Sequence, residues 1–260
     1  MDVLSSEFLH YPILILAGIA GAALNAIAGG GTFFLFPLLV FFGLNPTIAN
    51  TTNKLGTWLG ATAAVGGYWQ EVKQEREHIP RFAIIATIGS LCGSLLLLWT
   101  PVETFKAMVP WLMLGATMVF TFGKKGISWL AVHPEKQPDL GRIGWFLSRF
   151  AQFMIGVYGG FFGAGIGILI IAYSELVAHR TIHQINAIKV VVAASLMTVS
   201  TLTFIFADAI SWKHGIPLAI GTLIGGYYGP VLAKKLPVAL IKWFIIIYGF
   251  AVSIYFFNTY

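Results

Sequence analysis

Two lysines, Lys54 and Lys189, lie at the head of strongly apolar stretches, and each follows a glycine-rich turn. The run "NAIAGGGTFFLFP" (25–37) precedes Lys54, and "GAGIG" (163–167) precedes Lys189. An ionisable side chain within apolar sequence is costly to bury and usually faces a cavity. Paired ammonium groups near glycine-rich backbone are suited to bind an anion. The alternative is that each lysine extends from a helix start to a membrane surface.

The glycine turns interrupt sequence that is otherwise apolar enough for lipid. Unpaired backbone N–H groups cannot face lipid, but they are tolerated where they line an enclosed or water-filled cavity. At a helix start they carry partial positive charge, and glycine lets an anion approach them closely. Short, glycine-interrupted segments at matching places in two halves are typical of a transporter's binding site. We therefore expect the turns at 29–32 and 163–167 to form two facing anion cradles.

Uncharged polar side chains near the turns can donate hydrogen bonds to the oxygens of an anion. Asn50 and Thr51 also have residue types that cap helices, so that role stays open for them. No catalytic residue, metal ligand or cofactor is predicted. The candidate substrate-binding residues are Asn25, Gly29, Gly30, Gly31, Thr32, Asn50, Asn53, Lys54, Gly163, Gly165, Gly167, Gln184, Asn186 and Lys189.

The elements that must position these residues are membrane helices. Of 260 residues, 57% are hydrophobic and 10% are charged, and the mean hydropathy is +0.82. A soluble domain of this length cannot bury so much apolar surface. The fold class predicted is an all-α integral membrane protein with short, glycine-broken half-helices near the midplane. Its ten segments are 9–28, 32–44, 51–69, 81–99, 105–123, 145–161, 164–178, 187–207, 215–233 and 238–257.

The ten segments divide into two halves of five that resemble each other. "GSLCG" (89–93) and the Pro101 and Lys106 that follow it match "GGYYG" (225–229), Pro237 and Lys242 at one constant offset. Because each half has an odd number of segments, the halves have opposite orientation, as in many secondary transporters. The glycines of 89–93 and 221–229 are interpreted as sites of close helix packing. The predicted division is 1–123 for the first inverted repeat, 124–144 for a cytoplasmic connecting loop and 145–260 for the second repeat.

The basic residues indicate the orientation in the membrane. If the segments alternate sides and the central loop is cytoplasmic, twelve Lys and Arg residues face the cytoplasm, and only Lys106 and Lys213 face outside. Such an excess on the cytoplasmic side is the general rule, so both termini are predicted to be periplasmic. The same distribution explains the pI of about 9.4 without nucleic-acid binding. The twelve are Lys73, Arg76, Arg81, Lys124, Lys125, Lys136, Arg142, Arg149, Arg180, Lys234, Lys235 and Lys242.

Several other functional classes lack their sequence signals. The chain has no GxSxG or HExxH motif of an enzyme and no GxxxxGK[ST] loop of an ATP-driven pump. Its single cysteine, Cys92, excludes an intramolecular disulfide. A cation transporter would place carboxylates where this chain has lysines. A channel with similar half-helices is not distinguished from a transporter, and homo-oligomerisation is left open.

The two glycine-rich halves resemble a known family. "GIAGAALNAIAGGGTFFLFPLLVFFGLNPTIANTTNK", "IGVYGGFFGAGIGILIIAYSELVAHRTIHQINAIK" and "GTLIGGYYGPVLAKKLP" are similar to the sulfite exporter TauE/SafE family. The resemblance covers nearly the whole chain. It implies a bacterial-type inner-membrane permease for small sulfur-containing anions such as sulfite, sulfoacetate and related organosulfonates, usually exported. Pro37 follows the first turn but no proline follows the second, so the two half-sites need not contribute equally.

The predicted function is a secondary transporter that exports a small sulfur-containing anion by alternating access. The negative-inside membrane potential favours outward movement of an anion by about 2.3 kcal/mol per charge per 100 mV. An anion channel, or an importer of another oxyanion such as thiosulfate or sulfate, is the alternative. The predicted partners are this small anion and membrane lipid. The coupling ion stays open.

Overall fold

The protein is almost entirely helical. A computed structural model describes residues 2–77, 79–130, 141–177, 181–233 and 238–260. No β-strand occurs in these ranges, so the all-α fold class is confirmed. Each of the ten predicted segments overlaps a helix, and the segment 51–69 overlaps two. The helices are α1 (Asp2–Ala28), α2 (Gly31–Phe41), α3 (Pro46–Gly67), α4 (Trp69–Gln74), α5 (Ile79–Trp99), α6 (Val102–Leu130), α7 (Gly141–Phe161), α8 (Ile166–Val177), α9 (Ile182–Phe206), α10 (Trp212–Ala233) and α11 (Val238–Thr259).

Helix lengths separate spanning candidates from half-helices. Four stretches in the described ranges are long and apolar enough to cross a membrane: Ile79–Trp99, Val102–Phe122, Gln184–Phe206 and Lys242–Thr259. By contrast, α2 has 11 residues and α8 has 12. At 1.5 Å per residue these two helices are about 17 Å long, roughly half of the ~30 Å hydrocarbon layer. The predicted short helices after the glycine turns are therefore present.

The region between the halves is more helical than predicted. The predicted connecting loop covers 124–144, but α6 continues to Leu130 and α7 already begins at Gly141. The central part of this loop, 131–140, lies outside the described residues. The polar stretch after α3 also contains a helix, the six-residue α4.

The two halves of the chain pack on each other through pairs of helices that are distant in sequence. Helix α1 packs on α10, and α5 packs on α7. Helix α3 contacts α9, and α6 contacts α11. Each half therefore completes the packing of the other, and the glycine turns are enclosed between them.

Helices α3 and α9 run antiparallel, and so do α6 and α11. Trp58 Nε1 on α3 donates a hydrogen bond to Thr198 Oγ1 on α9 (2.8 Å). One turn earlier on α3, the carbonyl oxygen of Lys54 accepts from Thr201 Oγ1, which lies later on α9 (3.4 Å). The contacts between α6 and α11 follow the same reversed order.

Glycines allow two of these helix pairs to come very close. A Cβ added to Gly93 of α5 would lie 2.0 Å from the carbonyl oxygen of Val157 on α7. One added to Gly221 of α10 would lie 2.1 Å from the carbonyl oxygen of Ile15 on α1. These distances leave no room for a side chain, which confirms that the glycines of 89–93 and 221–229 are packing residues.

Gly93→Ala should destabilise the protein because the added methyl group meets backbone atoms of α7. Overpacking of this kind costs about 1–3 kcal/mol. Gly115→Ala on α6 is the matched control, because a Cβ at Gly115 has no neighbour within 4 Å. Thermal unfolding in detergent should show a lower midpoint for Gly93→Ala only. Equal midpoints for the two variants would contradict the packing interpretation.

Candidate functional site

The two glycine turns meet inside the protein. Gly29 has a φ of 77°, Gly163 of 81° and Gly165 of 72°, all in the left-handed region that glycine tolerates best. A Cβ added to Gly167, near the start of α8, would lie 3.2 Å from the Cα of Gly29. The turn of one half is thus in direct contact with the short helix of the other.

The starts of both short helices lie at this contact. Gly30 precedes α2, and Gly31 and Thr32 form its first turn, with Thr32 buried. A Cβ at Gly31 would lie 2.4 Å from the carbonyl oxygen of Gly21 on α1, so only glycine fits there. The first N–H groups of a helix have no partner within it, so they supply the partial positive charge expected of an anion site.

Helix α3 presents a buried polar face. Its start is capped by Asn45, whose side chain accepts a hydrogen bond from the backbone. Asn50, Asn53, Lys54 and Thr57 then follow at i, i+3, i+4 and i+7, the spacing that places side chains on one side of a helix. All four are buried. The face lies where α3 meets the end of α7 and helix α9.

Lys54, from the first half, reaches the end of α7 in the second half. Its Nζ donates a hydrogen bond to the carbonyl oxygen of Gly159. A Cβ added to Gly163 would lie 2.6 Å from the same Nζ. Lys54 is only 1% exposed. A cation at a helix C-terminus is favoured by the unpaired carbonyl groups there, so Lys54 binds the glycine turn of the opposite half and does not extend to a membrane surface.

Lys189 makes the equivalent contact in the opposite direction. Its Nζ donates to the carbonyl oxygen of Ala26, near the end of α1 (3.1 Å). Lys189 is 3% exposed, and its Cδ would lie 3.3 Å from a Cβ added to Gly167. Each lysine therefore connects its own half to the helix end that precedes the glycine turn of the other half.

Two buried asparagine side chains next to Lys54 have unused hydrogen-bonding atoms. Asn50 Nδ2 donates to the carbonyl oxygen of Phe161 (2.8 Å), but its Oδ1 has no partner among the described residues. Neither Oδ1 nor Nδ2 of Asn53 has a hydrogen-bond partner among the described residues, and Asn53 is 0% exposed. Leaving a buried polar group unpaired costs about 1–3 kcal/mol. Such groups therefore call for a bound water, ion or ligand.

A small cavity lies on the Lys189 side of the turns. Asn25, Gly167 and Lys189 line it together with small apolar residues of α1, α3 and α9. Its volume of about 20 Å³ is enough for about one water molecule. A four-atom oxyanion is larger than that, so this cavity is too small to hold one in the described conformation.

The structure gives one predicted site residue a capping role. Gln184, near the start of α9, forms a capping box with Thr181. The Thr181 N–H donates to Gln184 Oε1 (2.9 Å), and the Gln184 N–H donates to Thr181 Oγ1 (3.3 Å). Threonine followed three residues later by glutamine is the signature of this motif, so the sequence contained the correct signal. Asn186 is half-buried on the next turn of α9.

The "NTTN" run ahead of Lys54 has two separate roles. Thr51 Oγ1 donates to the carbonyl oxygen of Ala209, and Thr52 Oγ1 accepts from the Ser211 N–H (3.0 Å). These two threonines fix the turn between α9 and α10, whereas the asparagines on either side face the candidate site.

A tyrosine not included in the predicted site closes the second glycine turn. Tyr158 Oη donates to the carbonyl oxygen of Ala164 (2.5 Å). It thereby ties the end of α7 to the turn that precedes α8. A second hydrogen bond, from Gln152 Nε2 of α7 to Tyr173 Oη of α8 (2.5 Å), joins the two helices directly.

The architecture can now be compared with known proteins. The family described as sulfite exporter TauE/SafE matches residues 14–256. The chain belongs to this family. The family and the apolar helices together identify a multi-pass membrane protein of a transporter family.

Its curated relatives in the family are similar over nearly their full length. A "Probable membrane transporter protein" of Haemophilus influenzae is 28% identical over 247 residues, which cover 93% of this chain and 92% of the relative. The "Probable membrane transporter protein YfcA" of Escherichia coli K12 is 25% identical over 264 residues, covering 97% and 93%. "ORF9" of Sinorhizobium sp is 24% identical over 255 residues, covering 93% and 90%. No solved structure matches the chain.

Proposed function

We propose that the protein is a secondary transporter that exports a small sulfur-containing anion, such as sulfite or sulfoacetate, across the inner membrane by alternating access. The observation that carries this proposal is the pair of reciprocal lysine contacts, Lys54 to Gly159 and Lys189 to Ala26. They bring one ammonium group to the end of α7 and the other to the end of α1, each shortly before a glycine turn, and the unpaired amide of Asn53 lies beside Lys54 on the buried face of α3. This set of donors suits an oxyanion and lies inside a membrane protein of the matching family.

An anion between the turns would complete the hydrogen bonding of the site. An ammonium group has three donors, so each lysine can keep its helix-end carbonyl and still donate to an anion. The Nδ2 of Asn53 would gain an acceptor at the same time. Hydrogen bonds between charged partners are roughly twice as strong as neutral ones, which repays part of the cost of burying two cations.

The lysine contacts also couple binding to movement of the halves. Each lysine belongs to one half and holds the backbone of the other, so an anion that attracts both lysines acts on the contact between the halves. A ligand shifts a conformational equilibrium only through different affinities for its states. We propose that the conformation described here is the occluded step between inward-open and outward-open states.

The helix directions support an inverted repeat. Antiparallel pairing of α3 with α9 and of α6 with α11 is the relation expected between equivalent helices of oppositely oriented halves. On this basis 1–123 and 145–260 are the two repeats, joined on the cytoplasmic side, and both termini are periplasmic. The excess of basic residues in the predicted cytoplasmic loops supports this orientation.

Transport by the purified protein in lipid vesicles tests the proposal. Vesicles loaded with unlabelled sulfite should accumulate external ³⁵S-sulfite transiently against its gradient, because a carrier exchanges one anion for another. Uptake should saturate, and sulfoacetate, thiosulfate, sulfate and chloride should be compared as internal anions. Efflux that neither saturates nor drives counterflow would contradict a carrier and indicate a channel. Counterflow with sulfate or thiosulfate alone would contradict sulfite and organosulfonates as the substrates and favour another oxyanion.

A further inference from the structure

A groove on the outside of the protein, between α5 and α7, is separate from the candidate anion site. It has a volume of about 620 Å³, and two arginines, Arg81 and Arg149, lie among its lining residues. The rest of the lining is isoleucine and aromatic. Such a combination of cations and apolar walls is unusual on a surface that faces lipid, where charged side chains are costly.

The packing of α5 on α7 sets the positions of the two arginines. Gly156 of α7 lies against Ala86 of α5, and Gly160 lies against Ser90, four residues further along both helices. The helices are therefore parallel and in close contact. Arg81 precedes Ala86 on α5, and Arg149 precedes Gly156 on α7. Because the two helices stay side by side toward their starts, Arg81 lies at about the level of Arg149. The two guanidinium groups thus belong to one site.

The positive charge of the groove is not compensated within the described part of the chain. Arg81 is exposed and makes no hydrogen bond or ion pair there. Arg149 donates to the neutral Gln152 Oε1 (3.2 Å), and its guanidinium lies 5.6 Å from the centre of the Trp145 ring. No carboxylate lines the groove. Two planar guanidinium groups in this arrangement suit a phosphate, which arginine binds in bidentate fashion.

The walls of the groove are exposed and apolar. Ile84 is 60% exposed, Trp145 63%, Phe146 62% and Phe150 51%. In a membrane protein such side chains contact acyl chains, and tryptophan is typical of the interface with the head groups. Arg81 and Arg149 both belong to the predicted cytoplasmic set, and basic pockets between helices on that side bind anionic head groups.

We propose that this groove binds one anionic phospholipid, with its phosphate between Arg81 and Arg149 and its acyl chains along Ile84, Phe146 and Phe150. A zwitterionic phospholipid has the same phosphate but carries a compensating cation, so the two arginines favour a lipid with net negative charge. The site does not depend on the proposed transport function. Because α7 also carries the Gly159 carbonyl that Lys54 binds, the lipid would contact a helix of the candidate transport site.

Native mass spectrometry of the purified full chain tests the proposal. The protein in detergent is mixed with equal amounts of phosphatidylglycerol and phosphatidylcholine, and the bound lipids are counted. At about 1 kcal/mol for each arginine, two arginines correspond to roughly a 30-fold preference for the anionic lipid over the zwitterionic one. We expect Arg81→Gln to remove a large part of this preference and Arg81→Gln/Arg149→Gln to remove nearly all of it. Lys106→Gln, at a half-buried cation on α6, should leave it unchanged.

Three results would overturn the proposal. One is equal retention of the two lipids by the parent protein. Another is an unchanged preference in Arg81→Gln, which is expected to fold normally because Arg81 has no partner in the described structure. The third is full displacement of phosphatidylglycerol by millimolar inorganic phosphate, which would show that the groove binds the phosphate group alone.

Discussion

Lys54→Met should strongly reduce transport while leaving the protein folded. Methionine has a similar length and shape, so it fills the same space, but it cannot donate to Gly159 or to an anion. A hydrogen bond to a charged group is worth about 1.5–3 kcal/mol, which corresponds to a loss of roughly 10- to 150-fold in apparent affinity for the anion. The unfolding midpoint without anion should change little, because the cost of burying the ammonium disappears together with its hydrogen bond. Counterflow and thermal unfolding measure the two effects.

Lys189→Met and Lys106→Met complete this experiment. Lys189 makes the reciprocal contact to Ala26, so its replacement should reduce transport in the same way. Lys106 lies 3.8 Å from Glu103 and its side chain is 37% exposed, so Lys106→Met should transport like the parent. Normal transport by Lys54→Met would show that the lysine only stabilises the end of α7 and would remove it from the substrate site.

Asn53→Leu should make the anion-free protein more stable and remove anion binding. The buried Asn53 amide has no partner for either polar atom in the described part of the chain. Replacing it with an apolar group of similar size removes an unpaired polar group and should stabilise the described conformation by about 1–3 kcal/mol. The same change removes a donor to the anion. Asn53→Leu should therefore raise the unfolding midpoint and reduce transport. This combination is expected where a residue serves function and makes the folded protein less stable.

Asn50→Leu is the matched control, because Asn50 lies one turn away on the same face of α3. Its Nδ2 already donates to the Phe161 carbonyl oxygen, so the substitution breaks an existing hydrogen bond and should lower the unfolding midpoint. Opposite shifts in the two variants would support the interpretation of Asn53. A lower midpoint for Asn53→Leu would indicate that its amide is satisfied in the described conformation and would weaken its assignment to the site.

Much of the fold follows from local sequence properties. Apolar run length predicts ten segments that each overlap a helix, and the glycine runs indicate which two of them are short, because both signals depend on neighbouring residues only. The packing glycines were also recognisable, since small residues spaced along a membrane helix have few other uses. The cost of burying a charge made Lys54 and Lys189 candidates without any structural information.

The partners of these residues could not be read from the sequence. Lys54 binds Gly159 and Lys189 binds Ala26, and each contact crosses from one half to the other. Such contacts depend on how the two halves pack together. The spacing of apolar residues along the sequence does not reveal this packing. Gln184 also caps α9, a role that its spacing from Thr181 indicates, although a polar residue before a buried lysine resembles a ligand as well.

The most direct test of the candidate site is anion-dependent thermal stabilisation of the parent protein and of Asn53→Leu. A ligand that binds only the folded state at 100 times its Kd stabilises it by about 2.7 kcal/mol. Sulfite or sulfoacetate should raise the unfolding midpoint of the parent, chloride at equal ionic strength should not, and Asn53→Leu should respond to none of them. If no sulfur-containing anion stabilises the parent, or if Asn53→Leu is stabilised equally, the anion does not bind between the glycine turns.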